Sequence, residues 1–319
     1  MYASPLPCVS VVLPVYNDPS GLRATLESLV AQTYPSYEVI VVDNDSDDGR
    51  TLAVARSFAE SEPDLVRLDR ERAIQSSYAA RNRGIRVANG EIFAFIDADV
   101  TVSPDWIAAG VSTMQERDVE YLGCHIDITR EESTITGLYN ALTGFPVERY
   151  IESNRFAPTC GLFVRRAVLE AVGGFDQHLI SGGDVEFGQR VAAAGYDLHY
   201  SPTVRVEHPA RTSLRSLLEK RLRIGRGITQ RRRRYPDRYE PAPLYHPVGL
   251  LPPHPLRFGD HVGEGFSWSE KLGLYGVSFL ERLAETGGRV METVVGQTED
   301  TPPDRPSVAS AEQSEKTPI

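Results

Sequence analysis

Ile92-Phe93-Ala94-Phe95-Ile96-Asp97-Ala98-Asp99 is the stretch on which the reading of this chain turns. Five apolar residues in a row, entered from Gly90-Glu91 and left through a polar turn, predict a strand buried on both faces, as in a parallel sheet. Such a strand delivers Asp97 and Asp99 to its carboxyl end, the edge at which open α/β sheets hold ligands. Two carboxylates two residues apart repel each other unless a cation lies between them. Hard oxygen donors suit Mg²⁺ or Mn²⁺, ions that commonly bridge protein carboxylates and phosphates. The stretch by itself also fits a strand end that runs into a solvated turn.

The flanking sequence repeats the pattern. Val9-Ser10-Val11-Val12-Leu13 reads as a first strand ended by Pro14. Asp18-Pro19 is a helix start, with Asp as cap and Pro at the first helical position. Leu22, Leu26, Leu29 and Val30 then form one buried stripe. Val39-Ile40-Val41-Val42 is a second strand, ending at Asp43, and Leu65-Val66-Arg67-Leu68 a short third one. Residues 49–60 and 75–88 read as helices, and Ser103-Pro104-Asp105 repeats the cap-then-proline signal. Alternating strands and helices predict an α/β fold: a Rossmann-like, mostly parallel sheet with helices on both faces. Right-handed crossovers place the first, second and fourth strand ends along one edge, which then carries Tyr16, Asn17, Asp43, Asn44, Asp97 and Asp99.

Beyond residue 130 the pattern is less regular. Residues 134–155 read as helix and loop, 160–164 as a strand, 166–172 as a short helix, and 184–194 as a helix stopped by Gly195. A short strand at 204–206 and a basic helix at 212–229 follow. Residues 241–256 hold six prolines and read as a connector. Residues 270–286 predict an amphipathic helix with Leu272, Gly276, Phe279 and Leu283 on one face, interrupted by Gly287-Gly288. Residues 297–319 have the composition of a disordered tail.

The chain has 319 residues, 41% of them hydrophobic and 24% charged, as in a globular protein. No stretch approaches the ~18 apolar residues of a membrane span. Residues 1–7 lack a basic region followed by an apolar core, so the expectation is a cytoplasmic protein, or one at the cytoplasmic face of the cell membrane. Three cysteines without a CxxC pair argue against a zinc site or a disulfide scaffold, and for buried, reduced thiols. The net charge is −10, yet residues 205–238 hold twelve Lys/Arg against three Asp/Glu. An acidic body with one basic stretch argues for a local anionic partner and against nucleic acid.

Five ordered motifs carry a resemblance. They are Val9-Ser10-Val11-Val12-Leu13-Pro14-Val15-Tyr16-Asn17; Val41-Val42-Asp43-Asn44-Asp45-Ser46-Asp47-Asp48-Gly49; Ala80-Arg81-Asn82-Arg83-Gly84-Ile85; Phe95-Ile96-Asp97-Ala98-Asp99; and Gly173-Gly174-Phe175-Asp176, followed by Gly183-Asp184-Val185-Glu186-Phe187. In order and spacing the chain resembles an inverting glycosyltransferase of family 2, with the GT-A fold, over residues 8–210. The resemblance implies a transferase domain over residues 1–238, with a nucleotide-binding half at 8–100 and an acceptor half at 101–238. A Pro-rich and amphipathic extension (239–296) and the tail (297–319) follow it.

The resemblance also implies roles. Pro14, Tyr16, Asn17, Asp43, Asn44, Arg81, Asp97, Ala98 and Asp99 would line a nucleotide-sugar site for a UDP- or GDP-linked donor. Tyr16 would stack on the base and Asp43 accept a hydrogen bond from base or ribose. Asn44 stands where the family usually has a second acid, and Asn donates as well as accepts. Asp45, Asp47 and Asp48 suit a helix N-terminus. Asp99, with Asp97 and with His208 completing the shell, would hold Mn²⁺ or Mg²⁺ against the leaving diphosphate. Asp184 would be the base for the acceptor hydroxyl, with Glu186 as the fallback; read without the resemblance, Asp184 fits a helix cap. The basic stretch would meet phosphates, those of a lipid-linked saccharide acceptor or of membrane headgroups, with peripheral contact through 205–238 and 270–290. Gln230-Arg231-Arg232-Arg233-Arg234 misses the QxxRW spacing of processive members. Two other classes stay open from sequence: a sugar-nucleotide nucleotidyltransferase and a non-catalytic nucleotide-sugar-binding protein.

Overall fold

β1 (Val9–Val15), buried at every residue, is the axis of the sheet. The computed structural model describes residues 6–130, 132–240, 250–253 and 265–296. β1 pairs in parallel with β2 (Tyr37–Asp43) on one side and with β4 (Ile92–Phe95) on the other, and β2 pairs in parallel with β3 (Val66–Arg70). Helices α1 (Pro19–Val30), α2 (Arg50–Ser61) and α3 (Ser77–Val87) make the crossovers. The local chemistry behaves as the sequence predicts: the Asp18 side chain caps the Gly21 amide at 2.8 Å with Pro19 at the helix start. Strand β1 does not end at Pro14, however, but pairs through Val15. β4 has already finished opposite Val12, so the missing Pro14 N–H faces a side without a ladder partner.

The sheet continues past β4 in the order β3-β2-β1-β4-β7-β6-β8-β5. β7 (Leu162–Arg165) and the two-residue β5 (Thr101–Val102) run against the other strands; β6 (Tyr121–Thr129) and β8 (Leu198–Pro209) run with them. β6 has no signal in the sequence, because Gly123, His125 and Asp127 break its apolar run. β8 is far longer than the predicted 204–206. Its register against β6 jumps from Ser201 to Arg205, and Pro202 sits in that bulge. The helix expected from Pro104 starts two residues later as α4 (Trp106–Arg117), because Thr33 and Gln32 hold the carbonyls of Pro104 and Ser103 at 2.8 and 2.7 Å and keep 103–105 a turn. α5 (Ile135–Thr143), α6 (Val147–Arg149) and a π-turn at Tyr150–Asn154 fill the predicted helix-and-loop region. α7 (Arg166–Val172) and α8 (Gly183–Ala193) follow as expected. Cys124 and Cys160 are buried and Cys8 is half-buried.

Two long helices complete the described chain, α9 (Leu214–Arg234) and α10 (Trp268–Val295). α10 departs from expectation twice. Its buried face carries Leu274, Val277 and Glu281, while Leu272 of the predicted face is 73% exposed. Nor does Gly287-Gly288 interrupt it. Gly288 lies against the α9 backbone, where a Cβ would come within 2.1 Å of the Leu222 carbonyl oxygen. Gly225 of α9 reciprocates, its hypothetical Cβ 2.0 Å from the Glu285 carbonyl oxygen. The pair is a close helix crossing that only glycine allows. Most of the predicted connector, residues 241–249 and 254–256, and all of the tail at 297–319 lie outside the described residues.

The crossing yields a test. Gly287, next in sequence, has no atom within 4 Å of its hypothetical Cβ. Gly287→Ala should therefore stabilise by about 0.5–1 kcal/mol through helix propensity. Gly288→Ala should instead destabilise by about 1–3 kcal/mol through overpacking. Thermal melts of the two single variants shifting in the same direction would refute the assigned crossing.

Candidate functional site

The carboxyl ends of β1 and β4 open into a cavity of 590 Å³. Pro14 lies next to the last residue of β1 there, Asp97 follows β4, and Tyr78 and Arg81 come from α3, Asp184 from α8 and His208 from β8. α9 forms the opposite wall with Leu217, Lys220, Ile224, Ile228 and Arg231, spaced so that one helical face looks in. β1 is the point at which consecutive crossovers change side, where open α/β sheets form their ligand crevice.

Arg81 is 3% exposed and donates to Asp97 Oδ1 at 2.5 Å. Its Nε is buried without a hydrogen-bond partner, and so are the Nε atoms of Arg211 and Arg231 on the same cavity. Burial, with the neighbouring charge of Asp97, raises the Asp99 carboxyl, against the pull of His208 and Arg211. The β5–β8 register pairs Thr101 with Glu207, which sets the His208 stretch of β8 alongside the turn that holds Asp99. The His208 Nδ1 lies 2.9 Å from the Pro209 carbonyl. A carbonyl only accepts, so Nδ1 carries a proton and Nε2 is the nitrogen left to meet a ligand. Among the described residues no three His, Cys, Asp or Glu side chains converge into a ready-made metal centre. The donor set itself fits a hard divalent ion, since two mutually repelling carboxylates are what such an ion relieves and an imidazole nitrogen is a ligand it accepts.

Asp184 stands in the first turn of α8, and it is not the cap. The N-cap is Gly182, whose φ of 80° a side chain would resist, and Asp184 accepts from the Val185 amide at 2.9 Å. Burial raises its carboxyl above the ordinary range, partly offset by the Val185 amide, Arg81 and Arg231. Glu186, the fallback base, is corrected by the structure. It is fully buried and bonded by Arg190 at 2.9 and 3.1 Å and by Arg238 at 3.2 Å. Arg190 in turn holds the carbonyls of Val172, Gly173 and Gly174. Glu186 is therefore part of the scaffold under the loop.

The remaining sequence-predicted residues lie along the β1–β2 edge. Tyr16 is 47% exposed, as a stacking surface for a flat ring must be. Asp43 is buried, 3.0 Å from Arg70 Nε. Asn44 donates to the carbonyls of Glu71 and Ile74, and Asn17 bonds Ser46 and Asp47, so both tie loops together. Ala98 is buried, its carbonyl against the first turn of α1. Asp48 accepts from the Thr51 amide and hydroxyl at the start of α2, the helix-start role read from sequence. Asp47 and Asp45 instead face Asn17 and Arg70. Asn82 exchanges two 2.8 Å bonds with Phe175, which locks α3 to the Gly173-Gly174-Phe175-Asp176 motif.

Sequence reasoning missed Tyr78, Asn140, Phe145, Tyr150, Lys220 and Arg223 as cavity residues. The only signal for the last two was the basic run, whose charges divide by direction. Arg226 and Arg233 bond Glu292 at 3.1 and 3.0 Å, Arg221 bonds Glu281 at 2.8 Å, and Arg234 bonds Asp176 at 2.5 Å. Much of the stretch is thus neutralised within the molecule.

The family model described as Glycosyl transferase family 2 matches residues 10–173, and that of Glycosyl transferase family group 2 matches residues 92–269. The glycosyltransferase AglE of Haloferax volcanii is 37% identical over 296 residues, which are 90% of this chain and 96% of AglE. The UDP-Glc:alpha-D-GlcNAc-diphosphoundecaprenol beta-1,3-glucosyltransferase WfgD of Escherichia coli is 25% identical over 162 residues, 51% of this chain and 60% of WfgD. Among solved structures, the mannosyltransferase PcManGT from Pyrobaculum calidifontis, in complex with GDP-Man and Mn²⁺, shares the fold with a TM-score of 0.61 at 23% identity, covering 90% of this chain and 87% of that one. With a family model matched over half its length and AglE alongside over nearly all of it, the chain belongs to glycosyl transferase family 2 and is a glycosyltransferase of GT-A type.

Proposed function

We propose that this glycosyltransferase is an inverting enzyme, assisted by Mn²⁺ or Mg²⁺, that moves a sugar from a UDP- or GDP-linked donor to an acceptor hydroxyl. The observation that carries this reading is the sharing of one cavity by Asp97, at the carboxyl edge of the sheet, and Asp184, on the far wall. Asp184 takes the proton of the acceptor hydroxyl as its oxygen attacks the anomeric carbon. The bond to the diphosphate breaks on the opposite face, so the configuration inverts. A carboxyl raised by burial is a stronger base than a solvated one. Arg81 holds Asp97 in place, and Tyr16 and Asp43 receive the base and ribose. An ion held by Asp99, Asp97 and His208 would neutralise charge on the departing diphosphate. The GDP-Man and Mn²⁺ bound to PcManGT support the choice of donor class and ion.

The acceptor we propose is a lipid-linked saccharide of glycoprotein or surface-polysaccharide assembly, supported by the diphosphoundecaprenol substrate in the name of WfgD. Contact with the cytoplasmic membrane face goes with it, through the basic stretch and the start of α10, where Trp268 and Leu272 are exposed. No described helix is long and apolar enough to cross a membrane. The transferase unit spans residues 1–238, with α10 as an extension bound to it.

Asp184→Asn should lower turnover by about 10²–10⁴-fold, with sugar transfer read by mass spectrometry. The raised Asp184 carboxyl favours folding below its unfolded value and costs stability as pH rises through its folded one. The Asn variant should therefore melt no lower than wild type at neutral pH. Unchanged turnover would remove Asp184 as the base.

For the wild-type enzyme, activity should rise with pH along an acid limb placed above the ordinary aspartate value of about 3.9. A limb at or below that value in a pH–rate profile would contradict the burial of the base. Asp97→Ala/Asp99→Ala, or a chelator, should abolish metal-dependent binding of nucleoside diphosphate in calorimetry. Binding left intact would sink the metal assignment.

A further inference from the structure

The charge of the cavity exceeds what a donor can use. Arg81 answers Asp97, Arg221 answers Glu281, and Arg231 donates to the Gly182 carbonyl, with its charge acting on Asp184 across space. Arg211 sits near Asp99, on the side assigned to the donor. A sugar nucleotide carries two negative charges on its diphosphate, and a divalent ion cancels them. Lys220 and Arg223 then remain. They are three residues apart on α9, hence on neighbouring turns of one face, and both line the cavity. Among the described residues neither has a carboxylate within ion-pair distance. Lys220 Nζ instead lies 4.8 Å from the centre of the Phe145 ring. Burial, with the charges of Arg211 and Arg221, lowers its ammonium to about 8. Lys220 is half-buried and Arg223 is exposed; two cations set together on one face of a cavity without a counter-charge form a site for an anion.

We propose that Lys220 and Arg223 form a second anion subsite of this cavity, which receives the phosphate of a phosphorylated saccharide acceptor. The inference rests on the donor reading given above and narrows its acceptor to one whose phosphate enters the enzyme. Geometry supports a phosphate at some distance from the reacting hydroxyl. From Arg223 to Arg231, which bonds the Gly182 carbonyl two residues before Asp184, α9 advances roughly 12 Å. Ile224 and Ile228 line the wall between them. A phosphate at Lys220 and a hydroxyl at Asp184 are therefore opposite ends of one ligand, longer than a single sugar. The uncharged wall between them suits the faces of sugar rings.

The test uses the full chain and two calorimetric arms. In the first, UDP and GDP are titrated with Mg²⁺ into wild type and into Lys220→Met/Arg223→Gln. In the second, protein saturated with the better nucleotide and Mg²⁺ is titrated with inorganic phosphate, a short prenyl monophosphate, glucose 1-phosphate and, as a carboxylate control, glucuronate. The expected result is phosphate binding to the saturated wild type, weakened by about tenfold or more in the variant because charge-assisted hydrogen bonds are lost, with nucleotide affinity unchanged. Tighter binding of the prenyl phosphate would mark a lipid carrier, and equal binding of glucose 1-phosphate a soluble one; either supports the subsite. Phosphate excluded by bound nucleotide, a variant whose nucleotide affinity falls in parallel, or glucuronate bound in place of phosphate would each overturn it. Wild type that binds no metal–nucleotide in the first arm would instead refute the donor reading, and the charge balance with it. The variant's unchanged nucleotide affinity doubles as evidence that it is folded.

Discussion

Buried carboxylates hold α9, and the cavity depends on α9. The helix carries nine basic residues against one acid and would repel itself in isolation. Asp176, Glu281 and Glu292 are each at most 5% exposed and each bonds an arginine of α9. Neither side of this arrangement is stable alone. A buried carboxylate that lost its arginine would cost about 3–5 kcal/mol, and the arginines without carboxylates would drive α9 from α10 and the Asp176 loop. Glycine does the rest, since Gly225 and Gly288 let α9 and α10 approach closely enough for the Glu292 carboxylate to reach both Arg226 and Arg233.

The far end of α9 grips the loop in front of Asp184. Gln230 accepts from the Ile180 amide at 2.7 Å and donates to the His178 carbonyl at 2.8 Å. Arg231 reaches the Gly182 carbonyl, and Tyr235, just past the helix, bonds Asp176 at 2.7 Å. From the other side the Gly183 amide donates to the Tyr78 hydroxyl at 2.9 Å. The proposed base, Asp184, is thus fixed between α3 and α9 before any ligand arrives, the preorganisation that proton transfer would reward. Its helix N-terminus and two arginines favour the carboxylate, while burial favours the acid and wins.

Half of this was legible in the sequence for a physical reason. β1, β2 and β4 are buried on both faces, so their apolar runs are continuous, and Asp18-Pro19 acts through contacts within four residues. The half of the chain beyond residue 100 is written in long-range terms. β6 is half-polar and takes its place from pairing with β7 and β8, and α10 is set by what α9 presents. The basic run could be read as charge but not as direction. Its partners are Asp176 on one loop and Glu281 and Glu292 on another helix, separations over which no local pattern operates. The predicted face of α10 failed for the same cause: its most buried positions include Glu281 and Glu292, which no hydrophobic periodicity would place inside.

The contrast between Asp184 and Glu186 shows what decides a carboxylate's role here. Two residues along a helix turn the side chain through roughly 200°, so the two acids must face opposite ways. Asp184 looks into the cavity, where its charge meets Arg81 and Arg231 across space. Glu186 looks into the core, where Arg190 and Arg238 bond both of its oxygens. A carboxylate so held, with no exposed surface, is out of reach of an acceptor hydroxyl, whatever its intrinsic basicity. Asp184 spends one oxygen on the Val185 amide and keeps the other. Which of the two acids meets the cavity therefore follows from where the helix begins: Gly182, in a left-handed conformation, starts α8 at a rotation that turns Asp184 toward the cavity and buries Glu186 behind it.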